Sequence, residues 1–482
     1  MYLQMAVLAD THLTPRHLTP RERLEALCDP GSVELIRTEV TSLKLGDRAA
    51  AGDGVVGGAG LVGGRPVFCY AQDQSFLGGS LGAAHADTIV RILELAGRSG
   101  APVVGFVGSG GARMQEGVAA LAGYGRIFRA TVALTGKVPQ ISIISGLSAG
   151  GGAYSPALTD FIIMTRSSSM FLTGPGVVRE AMGEDVSADE LGGPRVHERN
   201  GVAQFVVADE LAAAGTARDL IGLLADRRAG AGEPTQTVYR EAAAGGMAID
   251  PSATVPASPR QVYDVRDVIA SIVDAGEYLE VCSGWARNLV TAFARLDGRT
   301  VGIIANQARY LGGVLDSDSS AKGARFVTQC NDFGIPMIVL VDTPGFMPGT
   351  RQEASGVIRH GATLVRAFAA ATVPRVTVIL RKSFGGAYIT MNSKELGADY
   401  VFAWPQSELG VMGAKPAVGI IHRRALAGAD DPEGLREQLA AEYAREHLAP
   451  STAAAMGAID EIIEPVDTRR RLSWALRSLR TH

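Results

Sequence analysis

Two short runs in this 482-residue chain have the composition of a backbone binding turn: Gly150-Gly151-Gly152-Ala153-Tyr154 and Gly385-Gly386-Ala387-Tyr388. Each follows an apolar run of strand character, residues 141–144 in one case and 376–380 in the other. A strand that ends in such a turn and opens a helix aims unpaired N–H groups, and the positive end of the helix dipole, at one spot. That spot suits an oxyanion. Glycine is needed because an oxygen at hydrogen-bond distance from the main chain leaves no room for a Cβ, and because the corner calls for positive φ. If the oxygen is a thioester carbonyl, two such donors stabilise the enolate left when an α-proton departs, and losing one donor costs about 2.7–4 kcal/mol of barrier. A single turn of this kind is equally compatible with a plain strand-to-helix connection. Two at equivalent positions argue for two carbonyl-bearing reactants, as a group transfer between carriers requires.

Other residues offer weaker chemistry. Gly146-Leu-Ser148-Ala-Gly150 fits the nucleophile elbow of serine hydrolases, which makes hydrolysis through Ser148 a rival. Lys382 stands at the matching place in the second run, however, so the glycines and not the serine are shared. His360 and His422 qualify as triad partners only by their order in the chain, and His85 and His197 are equally isolated. Asp342-Thr-Pro-Gly345 lacks the accompanying phosphate loop of a nucleotide site, which excludes NTP chemistry. Arg113, in Ser109-Gly110-Gly111-Ala112-Arg113, stands at a loop-to-helix junction, where an anion contact and a solvated surface role are both open.

The elements that must position these turns are duplicated. Gly100-Ala-Pro-Val-Val-Gly-Phe-Val107 matches Gly334-Ile-Pro-Met-Ile-Val-Leu-Val341, and Val138-Pro139 matches Val373-Pro374. Pro102 to Pro139 is 37 residues and Pro336 to Pro374 is 38, followed by 15 and 14 residues to the tyrosine. Between the strands, residues 115–135 and 357–370 carry apolar side chains at helical spacing. The unit is strand, Gly-rich loop, helix, strand, Gly-rich turn, helix, which predicts an α/β fold with helix-covered sheets. Residues 225–259, rich in Gly, Ala, Pro and Glu, read as a linker between domains at 1–245 and 260–482. Asp431-Pro432 reads as the start of a solvated surface helix running to about residue 446.

Bulk composition bounds the function. A net charge of −4 gives no electrostatic case for nucleic acid as the main partner. Cys28, Cys69, Cys282 and Cys330 lack metal-site or redox-pair spacing and read as reduced thiols of a cytoplasmic protein. No metal site is expected. The N-terminal residues carry no basic leader, and no apolar run is long enough to span a bilayer.

With these segments in view, the chain resembles the carboxyltransferase (β) subunits of biotin-dependent acetyl-CoA, propionyl-CoA and related acyl-CoA carboxylases. The likeness runs from Leu18-Thr-Pro-Arg-Glu-Arg-Leu through Gly78-Gly-Ser-Leu-Gly82, Ser109-Gly-Gly-Ala-Arg113 and Ser148-Ala-Gly-Gly-Gly-Ala-Tyr154. It continues through Leu191-Gly-Gly-Pro194, Asp342-Thr-Pro-Gly-Phe-Met-Pro-Gly349, Arg381-Lys-Ser-Phe-Gly-Gly-Ala-Tyr388 and Gly410-Val-Met-Gly-Ala414. The resemblance implies two tandem crotonase-like domains, with active sites between the N-domain of one subunit and the C-domain of another in a hexamer. It implies transfer of the carboxyl group of carboxybiotin to the α-carbon of a short acyl-CoA, without an acid or base side chain. The biotin would arrive on a partner bearing biotin carboxylase and the carboxyl carrier, since no Ala-Met-Lys-Met occurs in this chain.

Carried over by position, Gly150 and Gly151 match the donors of the first oxyanion hole, and Gly386 and Ala387 those of the second. Gly110, Gly111, Ala112, Arg113, Tyr154, Tyr388 and Ile389 are the expected substrate-binding residues, Ile389 flooring the acyl pocket. Aligning the two runs on their tyrosines would instead place the first hole at Gly152 and Ala153, so its register within 150–153 is open. The chain departs from the family at Gly108, where Asp is common, at Ile389, often Asp in propionyl-CoA-preferring members, and at its end, where a basic tail is usual. The alternatives are a biotin-dependent acyl-CoA decarboxylase subunit and a non-catalytic assembly paralogue.

Overall fold

The computed structural model describes residues 17–224, 250–256, 258 and 261–479. The expectations about the extreme N-terminus, the C-terminal end at 480–482 and most of the linker (225–249) lie outside the described residues. Each sheet begins with an edge strand, Glu34–Ile36 or Tyr278–Val281, antiparallel to the first strand of a hairpin: Val55–Val62 with Arg65–Gln72, and Leu289–Leu296 with Arg299–Asn306. Gly63-Gly64 and Asp297-Gly298 turn them, all four residues at positive φ, as tight two-residue hairpins demand. The chain then crosses through helices Ala83–Ser99 and Ser317–Asp332 into parallel strands.

Strands Val103–Ser109, Gln140–Ala149, Phe161–Thr165 and Phe205–Val207 extend the first sheet, and Met337–Thr343, Arg375–Phe384, Tyr400–Ala403 and Glu461–Ile462 extend the second. Every residue of Val103–Ser109 and of Met337–Thr343 is buried, as parallel strands covered on both faces must be. Short strands Ser169–Phe171 and Glu408–Gly410 pair beside the ends of Gln140–Ala149 and Arg375–Phe384. The two eight-stranded sheets have the same order, so each strand of one half has a counterpart in the other. The expected α/β duplication is what the chain adopts.

Local details refine the sequence reading. The first helical stretch runs Val118–Ala133 and not from residue 115, because Gly117, at φ 56 and ψ −131, separates it from a tight turn at Met114–Glu116. Gly356, at φ 77, likewise opens Val357–Ala370. The helix after Asp431 runs Pro432–Tyr443, with the Asp431 carboxylate accepting from the Gly434 N–H at 3.0 Å, and a wider turn carries it on to Leu448. It is not simply solvated, since Ala440 packs with Val418 and Leu426 in a small core.

The halves share a core and a polar seam. Phe161 of the first meets Phe293 of the second edge-on, with ring centroids 6.1 Å apart. The Cys282 N–H donates to the Gln204 carbonyl at 3.1 Å, and Arg325 and Gln329 donate to the Asp160 carbonyl at 3.1 and 2.7 Å. The Asp160 carboxylate also accepts the Gln140 N–H at 2.8 Å, and burial in this seam pushes its pKa up to about 7 despite that bond and the nearby Arg325. A folded pKa above the unfolded one means the native state keeps a proton that the unfolded chain releases, so this group loses stability as pH climbs from about 4 to 7. Asp160→Asn keeps the acceptor without the charge. Its melting temperature should rise relative to the parent as pH goes from 5 to 8; a gap constant across that range would show that the carboxyl titrates normally.

Candidate active site

The two glycine turns are built alike. Gly150 and Gly385 each end a ten-residue strand, stand 11 residues after Pro139 and Pro374 respectively, and both have φ 60. This left-handed corner swings the chain from strand into helices Gly151–Ala157 and Gly385–Thr390. The corners settle the repeat register: Gly151 corresponds to Gly386, Gly152 to Ala387, and Tyr154 to Ile389. The tyrosines are therefore one residue out of step, and aligning on them misleads; Ser148 matches Ser383 and not Lys382, so the serine is shared by both halves after all.

Hydrogen bonding separates the candidate donors. The Gly150 N–H is spent on the Phe171 carbonyl at 3.1 Å, and the Ala153 N–H on the Gly150 carbonyl at 3.0 Å. Gly151 and Gly152 provide first-turn amides, which by position have no acceptor within their own helix, and so do Gly386 and Ala387. Gly386 is exposed and Gly151 half-buried, whereas Gly152 and Ala387 are buried.

The neighbouring loops repeat as well. Leu81 donates to the Gly111 carbonyl and accepts from the Arg113 N–H, both at 2.9 Å; Leu315 does the same with Gly345 and Met347, at 3.0 and 2.7 Å. Those bonds turn the amides of Ala112 and Phe346 away from the leucines. A Cβ on Gly111 would lie 3.7 Å from the Ala149 carbonyl, and one on Gly345 4.0 Å from that of Phe384, so each loop abuts its glycine turn. Both loops hang on Leu77-Gly78-Gly79 and Leu311-Gly312-Gly313, all six residues at positive φ. A Cβ at Gly79 or Gly313 would lie 2.2 or 2.4 Å from a carbonyl of the loop strand. This second repeat, and the role of Phe346, were missed in the sequence, although the Leu-Gly-Gly identity was there to be read.

The remaining expected residues divide. Gly110 is exposed, with its N–H on the Gly78 carbonyl at 2.9 Å; the Gly111 N–H donates to Ser109 Oγ at 3.2 Å. Tyr154 and Ile389 project outward, 53% and 48% exposed, at equivalent places beside the two turns. Tyr388 turns its hydroxyl to Glu395 at 3.2 Å. Arg113 does not face an anion or solvent. Its side chain is fully buried, and the guanidinium is held by Asp53 at 2.6 Å and Glu116 at 2.8 Å, with further bonds to the Asp53 and Ser80 carbonyls. Burial raises the pKa of Asp53. At Glu116 burial acts the same way but is outweighed by bonds from the Ala83 N–H, Ser42 and Arg113, which leave it lowered. Arg113 thus fixes the loop rather than the substrate. Ser148 is also buried, its hydroxyl donating to the Gly152 carbonyl at 2.8 Å, which removes it as a nucleophile. Asp342 is consumed by Arg381 at 3.0 Å, in line with the exclusion of nucleotide chemistry. At Gly108 a side chain would have to displace the Gln74 carboxamide, 2.8 Å from where a Cβ would be.

Two duplicated α/β sheets, each offering a glycine turn with outward amides, define a two-domain crotonase-like fold. The carboxyl transferase domain model matches residues 14–482. The chain is 47% identical over 471 residues to the methylmalonyl-CoA carboxyltransferase 12S subunit of Propionibacterium freudenreichii subsp. shermanii, covering 96% of this chain and 88% of that protein. It is 45% identical over 471 residues to the propionyl-CoA carboxylase beta chain of Roseobacter denitrificans, covering 96% and 91%. Among solved structures, a transcarboxylase 12S hexamer with methylmalonyl-CoA and methylmalonic acid bound superposes with a TM-score of 0.89 at 45% identity, covering 96% of this chain and 90% of that one. The chain belongs to the carboxyl transferase domain family.

The buried Arg113 cluster yields a stability prediction. Arg113→Ala leaves Asp53 and Glu116 uncompensated in the interior and should cost about 3–5 kcal/mol in denaturant unfolding. A loss below about 1 kcal/mol would mean that the cluster is hydrated.

Proposed function

We propose that this protein transfers a carboxyl group from carboxybiotin to the α-carbon of a short acyl-CoA of the propionyl-CoA type. The observation that carries the reading is the pair of equivalent corners, which leave the Gly151 and Gly386 amides without an acceptor in their own helices, beside open surface. In this reading the Gly151 turn, with the outward amide of Ala112, receives the thioester carbonyl oxygen and holds the enolate charge once the α-proton has left. The Gly386–Ala387 turn, with the Phe346 amide, receives the ureido oxygen of biotin. Gly150 provides the corner that makes the first hole, its own amide being spent on Phe171.

A neutral, flat ureido group suits a turn of main-chain donors with no Cβ in the way, and Gly386 has that form. When bound, carboxybiotin supplies the carbon dioxide and the base, so the protein need only bind, orient and stabilise charge. Biotin would come on a partner subunit with biotin carboxylase and carrier functions. The four buried cysteines are free thiols, in keeping with a cytoplasmic site of action.

Large apolar side chains stand exposed in both halves, among them Leu172 and Val411, whose carbonyls lie 3.9 and 3.2 Å from where a Cβ on Gly150 and Gly385 would be, and Val118, Leu121, Ile358 and Ile420. Such patches suit burial against other copies of the chain. They support a homohexamer, the assembly described for the transcarboxylase 12S neighbour, and in this reading the first turn of one subunit faces the second turn of another. Ile389, beside the second turn, then floors the acyl pocket.

The test is a reconstituted assay with the biotin-bearing partner, ATP, bicarbonate and a panel of acyl-CoAs. Gly386→Val has space, since a Cβ there lies 3.7 Å from the Phe346 ring, so the fold should survive while transfer falls roughly 100-fold or more. Near-normal turnover in that variant would remove the second hole. Ile389→Asp should shift the preferred acyl length, and an unchanged profile would take Ile389 out of the pocket.

A further inference from the structure

The two turns are backed by different side chains. Beneath Gly151 lies the ring of Tyr124, from helix Val118–Ala133; a Cβ on Gly151 would stand 2.7 Å from its Cδ1 and Cγ. The ring is 5% exposed, and its hydroxyl bonds to Ser109 Oγ at 3.0 Å. Ser109 Oγ is the atom that accepts the Gly111 N–H at 3.2 Å, one residue before Ala112. Ser109 also packs on the turn from the other side, its Cβ lying 3.1 Å from where a Gly152 Cβ would be. One side chain therefore links both pieces of main chain that frame the first hole: its ring packs under Gly151, and its hydroxyl reaches the loop through the Ser109 hydroxyl that accepts the Gly111 N–H.

The second half lacks this tether. Thr343 does the work of Ser109, accepting the Gly345 N–H at 3.3 Å. The aromatic wall there is the Phe346 ring, which lies 3.7 Å from a Cβ at Gly386 and 3.3 Å from one at Gly361 and has no hydroxyl. The first turn's aromatic wall is thus hydrogen-bonded to the strand end that carries the loop, whereas the second turn's wall only packs, its Gly386 carbonyl being held from its own helix by the Thr390 hydroxyl at 2.9 Å.

We propose that Tyr124 is a positioning residue for the first hole, holding the Gly151 amide and the Gly111–Ala112 loop at the separation that a developing enolate oxygen requires. The role rests on the function proposed above. A ground-state carbonyl tolerates a loosely set pair of donors, whereas transition-state stabilisation depends on their preorganised placement. Losing the hydroxyl should therefore lower kcat and leave the acyl-CoA KM nearly alone.

The experiment compares Tyr124→Phe, Ser109→Ala and the double variant in the reconstituted complex, with a thermal melt of each. Tyr124→Phe keeps the ring and should lose roughly three- to tenfold in kcat, about the worth of one hydrogen bond, with KM within twofold and a melting temperature lowered by no more than about 2 °C. Because both changes break the same bond, the double variant should lose less than the product of the single losses. Unchanged kcat in Tyr124→Phe, a rise in KM that matches the loss, fully multiplicative losses, or activity that falls only in step with the melting temperature would each overturn the proposal. Failure of the parent complex to carboxylate any acyl-CoA would instead strike at the functional reading, so the two failures are distinguishable.

Discussion

The left-handed corner at Gly150 and Gly385 is the constraint on which the rest of the structure depends. A side chain at φ 60 strains the backbone, and without the corner the strand would run straight past the helix start. With it, the first helical amides turn outward at the edge of a parallel sheet. Everything nearby serves to keep that corner in place: the short strands Ser169–Phe171 and Glu408–Gly410 flank it, and the Leu-Gly-Gly turns brace the adjoining loops.

The two halves solve the same problem with different side chains. The first uses a buried ionic cluster, Arg113 with Asp53 and Glu116, and an aromatic hydroxyl, Tyr124, to set its loop. The second sets its loop with Met347 in place of Arg113 and the ring of Phe346. The same left-handed corner is thus reached with partly different packing, and the main chain is what the two halves hold in common. This also frees the surroundings to diverge, which suits two holes that accept different molecules. Tyr154 and Ile389, at equivalent outward positions, are the clearest sign of that divergence.

Much of this was legible in the sequence because the signals were local. Gly-x-Pro before each central strand, the apolar runs and the glycine turns all depend on residues near one another in the chain, and the α/β duplication followed from their order. What failed depended on burial or on backbone angles. Arg113 read as a residue for an anion or for solvent, and then as a substrate contact, because its partners Asp53 and Ser80 are distant in sequence. The register of the first hole stayed open because Tyr154 and Tyr388 look equivalent, whereas the residues that match in conformation are Gly150 and Gly385. Tyr124 carried no motif at all; its place beneath Gly151 exists only once the helix has packed on the sheet.

The central claim is that main-chain amides, at equivalent turns, hold two different carbonyl oxygens. The most direct measurement is a crystal structure of the assembled protein with an acyl-CoA and biotin bound together. The account predicts the thioester oxygen within about 3.1 Å of the Gly151 nitrogen in one subunit and the ureido oxygen equally close to the Gly386 nitrogen of a neighbour. Oxygens bound by side chains, with both turns left facing water, would contradict it.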